Sequence, residues 1–399
     1  MSLLIKNGKI YQNGTLVRKN IFIKQDKITK LTNQNLQADE VIDAKNKIII
    51  PGLIDGHVHF REPGQTHKED FLTGSMAAAA GGITTILDMP NTLPPTTNLQ
   101  RLDEKRRLAK KSIVNFGFHF GSTNDNIAEI GKVKDVASVK VYMDYTTGAL
   151  ELKNENVLKK IFSSNKTISV HGEDQNVAKA IELVQHGTNH IHLCHISSKE
   201  ELHYAKSKKI KNKVSVEVCP HHLFLTSKDL NDFGSFAEMK PNLKTKDDQK
   251  ALWEGIHNNK VDTIATDHAP HTKEEKNKMN YPFGVPGCET ILPLLLNALN
   301  EKKITLKKLI NLCCENPAKI FKIKNKGLIK EGYDADLAIV DLNLEKEVNN
   351  NELFTKCKWS PFEGWKLKGW PVTTIVNGNV IFTNGKINNI VAKEVSYNE

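Results

Sequence analysis

The stretch that decides the fold runs from Gly52 to Gly64 and reads GLIDGHVHFREPG. Its first half is apolar and leads into His57 and His59, which is the pattern of a buried strand that finishes in polar side chains. Because alternate residues of a strand share a face, both imidazoles point the same way and can chelate one metal ion. An isolated H-x-H pair is weak evidence, since core packing explains many such pairs. The rest of the chain decides between the two readings.

Seven more apolar segments follow this first one, which covers 52–59, and helical stretches separate them. They span 84–89, 114–121, 138–143, 167–173, 191–197, 214–220 and 262–267. Eight strands that alternate with helices predict an α/β fold of the (β/α)8 TIM type, whose active site lies at the carboxyl ends of the strands. The longer segment 221–261 predicts an insertion or an extended loop after the seventh strand.

Both ends of the chain read as short strands separated by turns. Asn7-Gly8 and Asn13-Gly14 are turn signals near the start, and Val-Asn-Gly at 376–378 is a similar signal near the end. Chain termini commonly lie close together. We therefore expect 1–50 and 330–399 to form one small discontinuous β-sandwich domain, and 51–329 to form the metal-dependent barrel.

Composition places the chain among ordinary globular proteins, with 399 residues, 39% hydrophobic content and a net charge of +10. The positive charge is mostly scattered lysine, which is typical of solvated faces and argues against a nucleic-acid partner. Six cysteines without regular spacing fit a reducing compartment, and no apolar run has the length of a membrane span. We expect a cytoplasmic protein with no membrane partner.

The 15 histidines all lie between His57 and His271, which indicates a site within the barrel. His171, His195 and Asp267 close the fifth, sixth and eighth predicted strands. Because a barrel enzyme collects its ligands at strand ends, these residues should converge with the H-x-H pair. Four imidazoles and one carboxylate suit Zn²⁺ or a similar metal. The alternative is a set of hydrogen-bonded core histidines.

Lys140, in the fourth-strand sequence SVKVYMD, lies among apolar and β-branched neighbours. A buried free lysine is costly, so its amine either loses its proton or gains an opposite charge. A neutral amine can capture CO2 as a carbamate, which is long enough to bridge two metal ions. The alternative is a lysine that reaches the barrel mouth or pairs with an acid.

The chain resembles the amidohydrolase superfamily and, within it, the dihydroorotases. The motifs that carry this resemblance appear in order over roughly 50–290, and NPAKIF and DADLAIVD match the ends of such chains. The motifs within 50–290 are PGLIDGHVHFREPG, AGGITTILDMPNT, VKVYM, VHGED, CHISS, EVCPHHL, ATDHAPH and FGVPGCET.

A binuclear metal centre is what the resemblance implies, with two divalent ions for which zinc is the expected element. His57 and His59 would bind the first ion together with Asp267. His171 and His195 would bind the second, and carboxylated Lys140 would bridge the two. The implied activity is the reversible opening of dihydroorotate to N-carbamoyl-L-aspartate in pyrimidine biosynthesis, with Asp267 as both ligand and proton carrier. The alternatives are an allantoinase or dihydropyrimidinase and a non-catalytic scaffold protein.

Substrate contacts are a second implication of the resemblance. A guanidinium can grip a carboxylate bidentately, although an ordinary surface salt bridge is the alternative for Arg61. The implied contacts are Arg61 and Asn91 to the substrate carboxylate, His271, the backbone of Pro286 and Gly287, and Thr146 or Thr147 in a loop that closes over the substrate.

Some relatives carry an arginine where this chain offers only Lys244 and Lys246, so an anion contact there would be a point charge. Cys194 and Glu217 could join His171 in a third metal site. The alternative is a buried thiol and an acid that supports a ligand. A homodimer and an association with aspartate carbamoyltransferase are the candidate protein partners.

Overall fold

The computed structural model describes residues 2–146, 148, 150–185, 189–206 and 213–398. Its strands are β1 Ser2–Lys6, β2 Lys9–Gln12, β3 Thr15–Arg18, β4 Asn20–Lys24, β5 Lys27–Thr32, β6 Glu40–Asp43, β7 Ile48–Pro51, β8 Leu53–Val58, β9 Ile83–Asp88, β10 Asn115–Gly121, β11 Ser138–Tyr142, β12 Ile168–His171, β13 Ile191–Leu193, β14 Val214–Val218, β15 Thr263–Ile264, β16 Leu337–Glu347, β17 Lys366–Val376, β18 Asn379–Thr383 and β19 Lys386–Ile387.

The helices of the described ranges separate the barrel strands and extend beyond the last one. They are α1 Phe71–Ala80, α2 Leu99–Ala109, α3 Ile127–Lys132, α4 Glu155–Phe162, α5 Gln175–Gln185, α6 Lys199–Ala205, α7 Pro220–Phe224, α8 Leu230–Phe233, α9 Lys246–His257, α10 Lys273–Lys276, α11 Ile291–Asn300, α12 Leu306–Ile310 and α13 Asn316–Ile320. A π-helical turn, Asn311–Glu315, joins the last two. None of these helices combines the length and the apolar character needed to cross a membrane.

Two sheets built from both ends of the chain form the predicted β-sandwich. One has the order β5-β4-β1-β6, and the other has the order β19-β18-β17-β16-β7-β2-β3. β16 pairs antiparallel with β7, with Ile339 opposite Ile49, so the two termini share one sheet. Side chains of both sheets, among them Ile5, Ile21 and Ile375, pack in a common core.

The eight strands β8 to β15 form one parallel sheet in chain order, which confirms the predicted barrel. The first and last strands meet through a bridge between Val58 and His268, and His59 N–H donates to the His268 carbonyl at 2.8 Å. These contacts bring the end of β8 beside the residues that follow β15. The H-x-H pair and Asp267 are thereby neighbours in space.

Local sequence explains how the helices begin at this face of the barrel. Asp70 caps α1 by accepting hydrogen bonds from the N–H groups of Leu72 and Thr73. Ser198 and Glu201 form a capping box at the start of α6. The predicted insertion after the seventh strand contains three helices, α7, α8 and α9.

Two parts of the range 330–399 pack on the barrel. Trp359 and Phe362, in the connection between β16 and β17, share a core cluster with Leu225 and Val285 of the barrel loops. Near the end of the chain, Val395 N–H donates to the Phe116 carbonyl of β10 at 2.8 Å. The domain bounds at 50/51 and 329/330 stay predictions.

Candidate active site

A cavity opens at the carboxyl ends of the barrel strands. Nine of the twelve residues predicted for the site line it, and six further residues complete the wall. The predicted residues are His57, His59, Arg61, Asn91, Lys140, Thr146, His171, His195 and Asp267, and the others are Tyr142, Met239, Lys240, Ala269, Phe283 and Gly284.

His57 is held between two carboxylates. Its Nδ1 lies 2.8 Å from Glu217 Oε1 and its Nε2 lies 3.4 Å from Asp267 Oδ1, and the imidazole is 1% exposed. Burial by itself lowers the pKa of His57, but the two carboxylates outweigh it and raise the pKa to about 10. The two carboxylates therefore favour a positive charge at this imidazole.

His59 connects the candidate metal ligands to Asn91. Its Nε2 lies 3.0 Å from Asp267 Oδ1, and its Nδ1 lies 2.6 Å from Asn91 Oδ1. Burial lowers the pKa of His59 to about 4, so the ring is neutral at neutral pH. If Nδ1–H donates to the amide oxygen, Nε2 keeps its lone pair and can bind a metal ion.

His171 and His195 form the opposite side of the cluster. The Nδ1 of His171 lies 2.8 Å from the Nε2 of His195. Burial lowers the pKa of His171 to about 3 and holds that of His195 well below its usual value. Nε2 of His171 and Nδ1 of His195 have no hydrogen-bond partner among the residues that the structure describes. Two neutral imidazoles with unpartnered nitrogens are suitable metal ligands.

Lys140 is fully buried in β11, and its Nζ donates to Cys194 Sγ at 3.0 Å. The side chain points into the same cavity as the four histidines, as its place in the fourth strand predicted. No carboxylate lies within ion-pair distance of this lysine in the described part of the chain. The Lys140 side chain thus lies where the predicted bridge between two metal ions would be. A buried lysine with a purely structural role would need an opposite charge nearby.

Ligand atoms of His57, His195 and Asp267 lie within 4.8 Å of one another, which fits a metal centre. A second group of this kind is His57, Cys194 and Glu217. Cys194 and Glu217 therefore group with His57 and not with His171, and Glu217 Oε1 lies 2.8 Å from His57 Nδ1. A third group, which the sequence interpretation did not single out, comprises Cys219, His221 and His222.

Arg61 lines the cavity and is 2% exposed. Its Nε donates to the Pro270 carbonyl at 3.1 Å, and one of its terminal nitrogens lies 3.1 Å from His271 Nε2. Burial lowers the pKa of this guanidinium to about 10, so it stays charged at neutral pH. A surface salt bridge, the alternative considered for this residue, does not describe it.

Three predicted site residues have left-handed backbone conformations that are unusual for residues other than glycine. The φ angles are 64° at Arg61, 37° at His195 and 47° at Asp267. Such conformations cost free energy and persist where the surrounding structure requires them, which is common at functional sites. Each lies just beyond a strand, where the chain turns out of the barrel and aims the side chain at the cavity.

Three other predicted residues lie outside the cavity lining. His271 is fully buried between Arg61 and Lys68, with Nε2 also 2.9 Å from the Phe283 carbonyl. Pro286 and Gly287 line a separate small cavity beside His268. The Gly287 N–H donates to His268 Nδ1 at 3.1 Å. Phe283 and Gly284 form the cavity wall instead.

The loop and lysine predictions have mixed outcomes. Thr146 lines the cavity, whereas the alternative, Thr147, lies outside the described residues. Lys240, in the segment after α8, lines the cavity. Lys244 and Lys246 are not among the lining residues.

Sequence reasoning offered Glu217 as an acid that supports a ligand and gave no role to His192. Both are buried in the barrel, and His192 Nε2 lies 3.0 Å from Glu217 Oε2. A signal was present, because Glu217 is a charged residue inside the apolar strand VSVEV, as Lys140 is inside SVKVY. His192 lies in the middle of β13, and nothing in its local sequence distinguished it from the other histidines of the barrel.

Comparison with known proteins gives a consistent result. The model of the amidohydrolase family matches residues 48–381. A dihydroorotase of Methanosphaera stadtmanae is 38% identical, over 95% of this chain and 96% of that protein. A dihydroorotase of Lactobacillus johnsonii is 35% identical, over 96% and 100%. Among solved structures, the L-hydantoinase (dihydropyrimidinase) from Arthrobacter aurescens has a TM-score of 0.92 and 26% identity, and 99% of each chain is covered.

Proposed function

This chain belongs to the amidohydrolase family and, within it, to the dihydroorotases, and we propose that it interconverts dihydroorotate and N-carbamoyl-L-aspartate. It is a cyclic amidohydrolase, an enzyme that opens a ring amide. The observation that carries the choice of substrate is the presence of Arg61 and Asn91 in the same cavity as the candidate metal ligands.

Arg61 and Asn91 supply matching donors for a substrate carboxylate. A charged guanidinium that is anchored through Nε to a carbonyl keeps other N–H groups for an anion. The amide oxygen of Asn91 is 2.6 Å from His59 Nδ1, and its amide nitrogen is a hydrogen-bond donor. This arrangement supports the binding of a ring that carries a carboxylate beside the reacting amide.

We propose that His57, His59 and Asp267 hold one divalent ion, His171 and His195 a second, and carboxylated Lys140 both. Nitrogen and carboxylate ligands in this number favour zinc. Such ions lower the pKa of a bound water and polarise a carbonyl. The unpartnered nitrogens of His171 and His195 support this assignment.

Asp267 is proposed as the proton carrier. Its carboxylate is almost buried, and the neighbouring His57 and His59 hold its pKa below the usual range, so it is ionised and able to accept a proton. The carrier would take the proton of the attacking water and deliver it to the leaving ring nitrogen. The same group, acting in reverse, would serve the ring-closing direction.

We further propose that the reaction serves pyrimidine biosynthesis in the cytoplasm. A homodimer and an association with aspartate carbamoyltransferase are hypotheses that accompany this proposal. Light scattering of the purified chain, alone and mixed with a carbamoyltransferase from the same source, tests both. A single-chain mass for the protein alone would contradict the homodimer. A mixture with no species heavier than the two separate proteins would contradict the association.

A second candidate is a dihydropyrimidinase, hydantoinase or allantoinase activity. The similarity to the Arthrobacter aurescens L-hydantoinase over 99% of each chain favours it. The substrates of such enzymes need no carboxylate contact on the ring, so a buried and anchored Arg61 has no clear task in them. This second candidate is therefore weaker.

One experiment separates the candidates. Purified protein is assayed with dihydroorotate, allantoin, dihydrouracil and hydantoin, and its metal content is measured by mass spectrometry. We expect turnover of dihydroorotate and about two ions per chain if the pair of sites is full. Turnover of any of the other three without turnover of dihydroorotate would overturn the proposed substrate.

A further inference from the structure

Tyr142 is a polar residue of the cavity to which the proposed roles give no task. It ends β11, is 2% exposed, and lines the same cavity as Arg61 and Asp267. Its hydroxyl has no hydrogen-bond partner among the residues that the structure describes. A buried hydroxyl without a partner is unfavourable, whereas a phenylalanine would fill nearly the same volume without that cost. The hydroxyl, and not the ring, therefore needs an explanation.

The backbone of Tyr142 is held on both sides. In the barrel sheet it lies opposite His171 of β12, and its carbonyl accepts a hydrogen bond from Leu152 N–H at 2.8 Å. A tyrosine side chain has only two rotatable torsions and is rigid beyond them. The side chain is thus held at the cavity wall, and its hydroxyl makes no hydrogen bond to the residues that the structure describes.

The ring of Tyr142 lies beside the groups assigned to the metal ions. Its centroid is 5.9 Å from that of His171, and Lys140 Nζ lies 5.2 Å from it. Tyr142 lies two positions after Lys140 on the same strand, so both side chains share the inward face. The ring amide of a substrate must lie at the metal ions to be opened. A carbonyl bound there would lie on the side of the cavity that Tyr142 occupies.

We propose that the Tyr142 hydroxyl donates a hydrogen bond to the oxygen of the scissile ring carbonyl, an inference that rests on the proposed function. Negative charge grows on this oxygen while the amide carbon is attacked. A fixed donor stabilises that charge more than it stabilises the neutral carbonyl, and it needs no reorganisation at the moment of reaction. A phenol keeps its proton at neutral pH and is able to donate.

Tyr142→Phe tests this role, because it removes one oxygen atom and leaves the ring. With dihydroorotate as the substrate, kcat should fall about 100-fold while KM changes little, since the contact strengthens in the transition state. Tyr397→Phe is the matched control. Its hydroxyl oxygen is also buried, and it lies outside the cavity lining. We expect this control to keep the kcat of the unmodified protein.

Metal content and melting temperature are measured for all three proteins. A Tyr142→Phe protein with full metal content and an unchanged kcat would overturn the role of the hydroxyl. Loss of metal from this variant would overturn it as well, because the effect on rate would then act through the metal site. If the unmodified protein fails to turn over dihydroorotate, the proposed function itself fails and the Tyr142 role fails with it.

Discussion

Glu217 Oε1 lies 2.8 Å from His57 Nδ1, and both side chains are 1% exposed or less. The contact orients the imidazole so that Nε2 faces Asp267 and the cavity. Glu217 also accepts from the N–H of His195 at 3.1 Å. One carboxylate thus positions two of the four candidate imidazole ligands, which come from different strands of the barrel.

Glu217→Gln should weaken metal binding by about 10- to 100-fold, because the amide no longer supplies the charge that aligns His57. Competition with a coloured chelator measures this affinity. Glu201→Gln is the matched control, since Glu201 is also buried but stabilises the start of α6. We expect the control to lower the melting temperature and to leave the metal affinity unchanged. Equal metal affinity of Glu217→Gln and the unmodified protein would contradict the supporting role.

Asp267→Asn should keep most of the bound metal and lose about 10²- to 10⁴-fold in kcat, since an amide cannot accept the proton. His57 and His59 remain as ligands in this variant. Steady-state kinetics with dihydroorotate, combined with metal analysis, checks the prediction. Retained turnover in the metal-loaded variant would refute the role of Asp267 as proton carrier.

Arg61→Met should raise KM for dihydroorotate and lower kcat/KM by about 100-fold, because the substrate carboxylate loses a charged, bidentate partner. Arg61→Lys should recover only part of the loss, since an ammonium is a point charge. Arg107→Met, in an exposed position on α2, serves as the control. A normal KM in Arg61→Met would show that the carboxylate binds elsewhere.

Lys276 gives a prediction about pH. Its ammonium is fully buried and donates to the carbonyls of Glu238, Pro282 and Gly284, which flank the cavity wall. Burial lowers the pKa of Lys276 from 10.5 to about 8. Below pH 8 both the folded and the unfolded chain hold the proton. Between pH 8 and 10.5 the unfolded chain binds more protons, so the contribution of Lys276 to stability rises with pH.

The shift corresponds to roughly 3 kcal/mol. The free energy of unfolding of the unmodified protein, measured relative to that of Lys276→Met, should therefore increase by up to this amount between pH 7.5 and pH 10.5. Denaturant unfolding of both proteins across this range measures the difference. Lys278→Met, at an exposed position two residues after the end of α10, should give no such trend. A difference that is constant with pH would contradict the lowered pKa.

Much of the fold and most of the cavity were predictable because a parallel barrel imposes simple rules. Strand alternation places His57 and His59 on one face, and the carboxyl ends of different strands meet at one mouth. A residue that closes a predicted strand, such as His171 or Asp267, could therefore be assigned to the cavity from its position alone. The β-sandwich followed in the same way from strand and turn signals at both termini.

Contacts that depend on the path of loops could not be derived in this way. Loop residues have no periodicity, so nothing in the sequence indicated that Gly287 turns to His268 while Phe283 and Gly284 face the cavity. The burial of His271 behind Arg61 depends on segments far apart in the chain, since Trp359 Nε1 also donates to the His271 carbonyl.

The sequence by itself indicated the candidate ligands, because residue type and strand position are local properties. Only the tertiary structure decided which groups act on those ligands. Glu217 and His57 are 160 residues apart, and their contact exists because β14 and β8 belong to one closed barrel. The same closure brings Cys194 to the group of His57 and places the ring of Tyr142 beside His171 at the cavity.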